Sequence, residues 1–190
     1  RQMCIRDSST AGGPQKCERV RALGAEDVFD HRAAEPGAFA EWVLERTGGR
    51  GADVILDVVG GPYLDANVRC LAEEGRIVVI AAQGGVKAEG FNLMRLVAKR
   101  GWLTGATLRS RPVVEKARIV AGTERAVSPL VAAGRIDLSV AARFPLAEAA
   151  AAQEWFDHAA RAGKVLLVTD PADADHAPGE PGDGAAEARA

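Results

Sequence analysis

Apolar positions along the chain switch repeatedly between a helical and an extended period. Cys17, Val20 and Leu23 recur at helical spacing behind Pro14, and Gly24 closes the stretch. This predicts a short amphipathic helix with proline in its first turn, where the missing N–H does no harm. A short strand at 27–29 should follow, and Phe39, Trp42 and Val43 mark a second helix ended by Gly48-Gly49. The run ADVILDVV, 52–59, is rich in β-branched residues and bounded by glycines, as expected of a strand buried on both faces of a parallel sheet. Leu64, Val68 and Leu71 predict a helix between it and a second buried strand, GRIVVIAA, at 75–82. A further stripe, Leu93, Leu96 and Val97, precedes a strand at 102–107.

Strands alternating with helices of about ten residues predict an α/β fold, a doubly wound parallel sheet. From 112 to 134 a longer helical stretch, broken near Pro129, leads away from the sheet. The segment 139–144, an Ala-rich helix at 146–162 and a strand at 164–169 form a separate small unit. Residues 171–190 contain no Val, Leu, Ile or aromatic side chain, so burial there cannot offset ordering entropy and the tail is expected to be disordered. The opening RQMCIRDSS has neither a clear period nor turn logic and reads as a foreign leader. The predicted organisation is a leader at 1–9, a partial nucleotide-binding domain at 10–134, a further segment at 135–169 and a tail at 170–190.

Composition changes this picture little. Across 190 residues the formal net charge is -2, and no block of Lys and Arg occurs, so neither nucleic acid nor an anionic membrane is expected as a partner. The longest apolar runs, such as 77–82, fall far short of the roughly 20 residues a bilayer span needs. Cys4, Cys17 and Cys70 are odd in number, widely spaced and not arranged as CxxC. Neither a disulfide framework nor a metal site is expected, and a reducing cytoplasm fits best.

The candidate chemistry lies at the strand ends. In open parallel sheets, ligands bind beyond the carboxyl ends of the strands. Here three such ends carry small residues: Asp57-Val58-Val59-Gly60-Gly61, Ala81-Ala82-Gln83-Gly84-Gly85 and Gly105-Ala106-Thr107. Small side chains let backbone groups approach a flat ligand closely. Asp57 is expected to brace its turn rather than to catalyse. A dinucleotide site should also have a GxGxxG turn after the first strand, and that spacing occurs nowhere in the chain.

The stretches KCERVRALGAEDVFDHR, GGRGADVILDVVGGPYLDANVRCLAEEGRIVVIAAQGG, LVAKRGWLTGATLRSR and GKVLLV, taken in order, resemble the zinc-independent quinone oxidoreductases of the medium-chain dehydrogenase/reductase superfamily. The subgroup they most resemble is that of the p53-inducible quinone oxidoreductase and its bacterial relatives. The resemblance runs from about 10 to 169 and covers the second half of the family's chain. It implies a truncated Rossmann-type sheet lacking its first βα unit, followed by a crossover segment returning to a GroES-like catalytic domain. It also implies NADPH as cofactor, with NADH possible, a small-molecule quinone as substrate, and a homodimeric parent protein. No side chain in this half need be catalytic.

By the same resemblance, Lys16 corresponds to a lysine placed against the 2'-phosphate of NADPH. Gly13 stands where a serine is common and His31 where a tyrosine is common, both in contact with the adenosine end. Gly60 and Gly61 match a turn beside the cofactor ribose. Ala82, Gln83, Gly84 and Gly85 match the loop over the nicotinamide, and Thr107 with Leu108 matches the lining of the nicotinamide and quinone pocket. Arg109 and Arg111 share that signature. Trp42, Trp102 and Trp155 are expected as core or interface anchors. With a central strand missing and the segment IRDSST standing in for the second strand, the chain by itself is expected to be marginally stable and inactive. Two alternatives stay open: a non-catalytic nucleotide-binding or interaction module, and an enoyl reductase-type relative.

Overall fold

The computed structural model describes residues 6–136, 138–158 and 163–174. The expectations for the first five residues and for 175–190 lie outside the described residues. The chain divides into two compact units, Arg1–Val120 and Ala121–Ala190. The division falls inside a long helix.

In the first unit strands and helices alternate: β1 (Ser8–Ala11), α1 (Pro14–Ala22), β2 (Asp27–Asp30), α2 (Phe39–Arg46), β3 (Ala52–Asp57), α3 (Gly61–Arg69), β4 (Leu71–Val79), α4 (Leu93–Ala98) and β5 (Trp102–Gly105). All pairings are parallel, and this is an α/β fold as the alternation requires. The strands form two sheets, β1-β2 and β3-β4-β5. Among the described residues β1 pairs only with β2 and β3 only with β4, so each sheet keeps a free edge strand. Ser8 and Ser9, expected as part of the leader, lie in β1 and pair with Asp27 and Val28.

Three small cores hold this unit together. Cys17 of α1 packs with Ala11 and Val28 over β1-β2. Phe39 and Ala40 of α2 meet Ala66 and Cys70, with Phe29 of β2 and Ile55 of β3 against them, so one cluster touches both sheets. Val68, Leu71 and Ile77 are fully buried beneath Phe91 and Leu96; each such side chain is worth about 1.5–3 kcal/mol. Arg69 adds a polar clamp, donating to Glu41 Oε1 at 2.6 Å and to the Gly37 carbonyl at 3.1 Å.

Several expectations need correction. β3 is not buried on both faces: Ile55 packs inward but Leu56 is 66 % exposed. Ala52 and Val54, on the same face, are half-buried. The helix expected through Leu71 stops at Arg69, and Leu71 opens β4 instead, four residues ahead of the predicted start at 75. β5 ends at Gly105, its ladder closing when the Ala106 N–H donates to the Val79 carbonyl at 2.9 Å. Trp42 packs at a tilt against Phe29, with ring centroids 5.5 Å apart, but Trp102 is 69 % exposed on β5 and anchors no core in this unit.

The long helix α5 (Val113–Ala132) is not broken at Pro129. That proline sits in the last turn and gives up one backbone bond, while its own carbonyl still accepts from the Ala133 N–H at 3.1 Å. In the second unit β6 (Val140–Pro145) and β7 (Lys164–Val168) pair in parallel. A 3₁₀ turn (Leu146–Glu148) and α6 (Ala149–His158) lie between them, and Ala142, Phe144 and Ala152 pack with Trp155 and Val165. A second 3₁₀ turn, Pro171–Asp173, follows β7.

Candidate functional site

β3 ends on a buried carboxylate. Asp57 is 4 % exposed, and its Oδ1 accepts the N–H groups of Val59 at 2.7 Å and Gly60 at 3.0 Å. Its Oδ2 accepts from Asn67 Nδ2 at 3.1 Å. One side chain thus folds the strand end into α3, where Pro62 lies in the first turn. Gly60 has φ 87°, a backbone state that side chains rarely adopt, and a Cβ there would lie 2.8 Å from both Ala82 Cβ and the Gly85 carbonyl oxygen.

The loop after β4 is fastened to that turn by backbone alone. Gln83 N–H donates to the Val58 carbonyl at 3.0 Å, Gly84 N–H to Val59 at 2.9 Å, and Gly61 N–H back to Gly85 at 2.9 Å. A parallel bridge joins Gly60 and Gly85. The structure therefore brings together Gly60, Gly61, Ala82, Gln83, Gly84 and Gly85. Beside them, at the ends of β3, β4 and β5, is an open pocket of about 310 Å³ walled by Gly60, Gly61, Ala82, Val86, Leu103 and Gly105, among others. Gln83, Gly84, Gly85, Thr107 and Leu108 lie outside its wall.

Thr107 and Leu108 are exposed beyond β5. Arg111 Nε donates to the Thr107 carbonyl at 2.9 Å and its Nη1 meets Glu115 at 3.0 Å, so this arginine fastens the start of α5. The Arg109 carbonyl accepts from Lys116 Nζ at 2.9 Å.

Gly13, Lys16 and His31 follow the strand ends of the other sheet. Gly13 (φ 89°) precedes Pro14 as the N-cap of α1, Lys16 lies in that helix's first turn, and His31 follows β2. Asp30 Oδ1 accepts the Gly13 N–H at 2.9 Å and the Arg32 N–H at 3.0 Å. These two donors hold the Asp30 carboxyl below its ordinary range.

Burial, with the Asp57 charge second, pushes the Tyr63 phenol up, and burial pushes the Cys70 thiol up to about 11. Sequence reasoning missed Val86, Ala88 and Leu103 in the pocket wall, which carry no chemistry to signal them. It also missed Asp30 and Arg32, for which an acid and a base flanking His31 at a strand end were the available sign.

A family model described as zinc-binding dehydrogenase matches residues 23–167. The phthioceranic/hydroxyphthioceranic acid synthase of Mycobacterium tuberculosis is 35 % identical over 162 residues, covering 84 % of this chain and 7 % of that protein. The 2-haloacrylate reductase of a Burkholderia species is 30 % identical over 164 residues, covering 84 % of this chain and 46 % of the reductase. Among solved structures, that of mycobacterial Rv1454c complexed with NADPH is 27 % identical with a TM-score of 0.69, covering 86 % of this chain and 50 % of that one. The chain thus spans half or less of the length of these proteins. Among the described residues, no group of three or more His, Cys, Asp or Glu is placed to hold a metal ion. No described helix is long and apolar enough to cross a membrane. With the match running from the end of α1 through β2 and the three-stranded sheet to β7, the chain belongs to the zinc-binding dehydrogenase family, a family of oxidoreductases.

Proposed function

We propose that the protein containing this chain is an NADPH-dependent quinone oxidoreductase, related to the p53-inducible subgroup, and that this chain holds its cofactor. The observation that carries this reading is the fastening of the Gly60-Gly61 turn to the Gly84-Gly85 turn by backbone hydrogen bonds. It leaves a low, mainly apolar wall at the strand ends, suited to a flat ring. When bound, NADPH would supply the hydride. The chain's own part is to bind and orient. Gly60 and Gly61 admit close approach, Ala82, Leu103 and Gly105 exclude water, and Asp57 keeps the turn rigid. Lys16, His31 and Gly13 would receive the adenosine end; the absence of a carboxylate on Ala11-Gly12-Gly13 favours NADPH over NADH. Leu108 and Thr107, exposed beyond β5, would face the quinone. Pairing of two copies through the edge strand β5, which carries exposed Trp102, would make the parent a homodimer.

A second reading has one specific support, the 30 % identity to a 2-haloacrylate reductase: the acceptor would be an activated alkene. Both acceptors are conjugated electrophiles, so the assay must compare them. Consumption of NADPH by the full gene product is followed with 1,4-benzoquinone, phenanthrenequinone and 2-chloroacrylate in turn. The quinone reading expects the larger kcat/KM on a quinone. A larger kcat/KM on 2-chloroacrylate replaces it with the second reading, and no turnover of any acceptor overturns both.

A further inference from the structure

A glycine answers one of three demands: a left-handed backbone, a chain packed too closely for a side chain, or space taken by something from outside. Gly60, Gly61 and Gly84 answer the second, since a Cβ on each would come closer than 3.0 Å to another segment of the chain. Gly105, at the end of β5, answers neither of the first two. A Cβ there would meet nothing nearer than the Val79 carbonyl oxygen at 3.9 Å, an ordinary contact, and its φ lies outside the left-handed region. Glycine also weakens a strand, so nothing within β5 itself explains its presence.

The remaining demand is met by the pocket. Gly105 is in register with Val79 of β4, and Val79 with Asp57 of β3, while Leu103 lies two residues back on the same face of β5. All four wall the pocket of about 310 Å³, so a side chain at position 105 would project into it. The rest of the wall includes Leu64 and Val86, and Val86 is 84 % exposed, apolar area that a planar ring would take out of water. Among the described residues the wall carries no Lys, Arg or His, and the oxygens of its one ionisable group, Asp57, already accept from Val59, Gly60 and Asn67. An anionic acceptor would meet a carboxylate there and no cation to offset it. Resting on the quinone reading above, we propose that Gly105 is a specificity-determining residue: its missing side chain leaves the room that the ring of an uncharged planar acceptor fills, in a wall that disfavours anionic ones.

The test follows NADPH consumption by the full gene product and its Gly105→Ala variant, with 1,4-naphthoquinone and then NADPH as the varied reactant, beside urea unfolding of both proteins. Gly105→Ala raises the KM for 1,4-naphthoquinone about tenfold, the effect of one methyl group forced into a filled site, and leaves the KM for NADPH within about twofold. Its unfolding midpoint does not fall, because the added Cβ meets only ordinary contacts. With the wild type, kcat/KM on 1,4-naphthoquinone exceeds that on its 2-sulfonate about tenfold or more, although the sulfonate makes the ring easier to reduce. An unchanged quinone KM in Gly105→Ala overturns the role of Gly105 while the quinone reading stands, and a lowered midpoint overturns it by assigning the glycine to packing. A KM for NADPH that rises in parallel gives the room to the cofactor and overturns the acceptor assignment. Equal kcat/KM on the neutral and sulfonated rings overturns the charge discrimination. No turnover of 1,4-naphthoquinone by the wild type overturns the proposal together with the quinone reading.

Discussion

Asp57 is the side chain on which the pocket wall depends, and its removal has a magnitude the structure sets. Truncation to Ala leaves the Gly60 N–H and the Asn67 amide buried without an acceptor, and the Val59 N–H half-buried without one. An orphaned buried donor costs about 1–3 kcal/mol, and water reaching Val59 softens its share, so Asp57→Ala should destabilise the chain by about 3 kcal/mol. Asp57→Asn keeps Oδ1 for Val59 and Gly60 but turns an amide donor toward Asn67 Nδ2, a cost of about 1–2 kcal/mol. Exchanging the partner as well, Asp57→Asn with Asn67→Asp, restores donor to acceptor and should return to within about 0.5 kcal/mol of wild type. Urea unfolding reads these as shifts in midpoint at unchanged m. A cost below about 1 kcal/mol for Asp57→Ala, or a double variant no better than the sum of its singles, would refute the bracing argument.

Two further outcomes follow from close packing and from burial. Gly61→Ala places a methyl against the Lys87 carbonyl, so the turn must open; a loss of about 2 kcal/mol or more is expected in the same unfolding assay, and an unshifted midpoint would contradict it. Cys70, whose thiol donates to the Asn67 carbonyl at 3.6 Å, has a folded pKa raised to about 11 against an ordinary value of 9.0. The sign is therefore that its contribution is fully present below pH 9.0 and is lost as pH rises toward about 11; Cys70→Ser should abolish that slope in stability against pH.

The order of elements from α1 to β5 was legible in the sequence from local periods and turn residues, whereas β1 lay in a stretch without a clear period. Glycines and Pro14 mark ends that the structure keeps. The boundaries that moved have physical causes. Leu71 fits a helical stripe by spacing, yet Arg69 ends α3 and Leu71 is needed under Phe91 and Leu96 as the first residue of β4. Pro129 reads as a break, but in the last turn it forfeits only one bond.

The small residues at the strand ends are also legible in the sequence as a binding surface. Their spacing alone could not show that Gly60-Gly61 and Gly84-Gly85 are fastened to one another, because that depends on backbone bonds between segments more than twenty residues apart. Nor could composition reveal that Leu56 within ADVILDVV stays exposed, since burial is decided by what covers a strand and not by how apolar it is. The sequence by itself determined the α/β alternation and the places where side chains become small. Only the tertiary structure decided which strand ends meet and that Asp57 braces them, because main-chain hydrogen bonds and excluded volume act between residues the sequence separates.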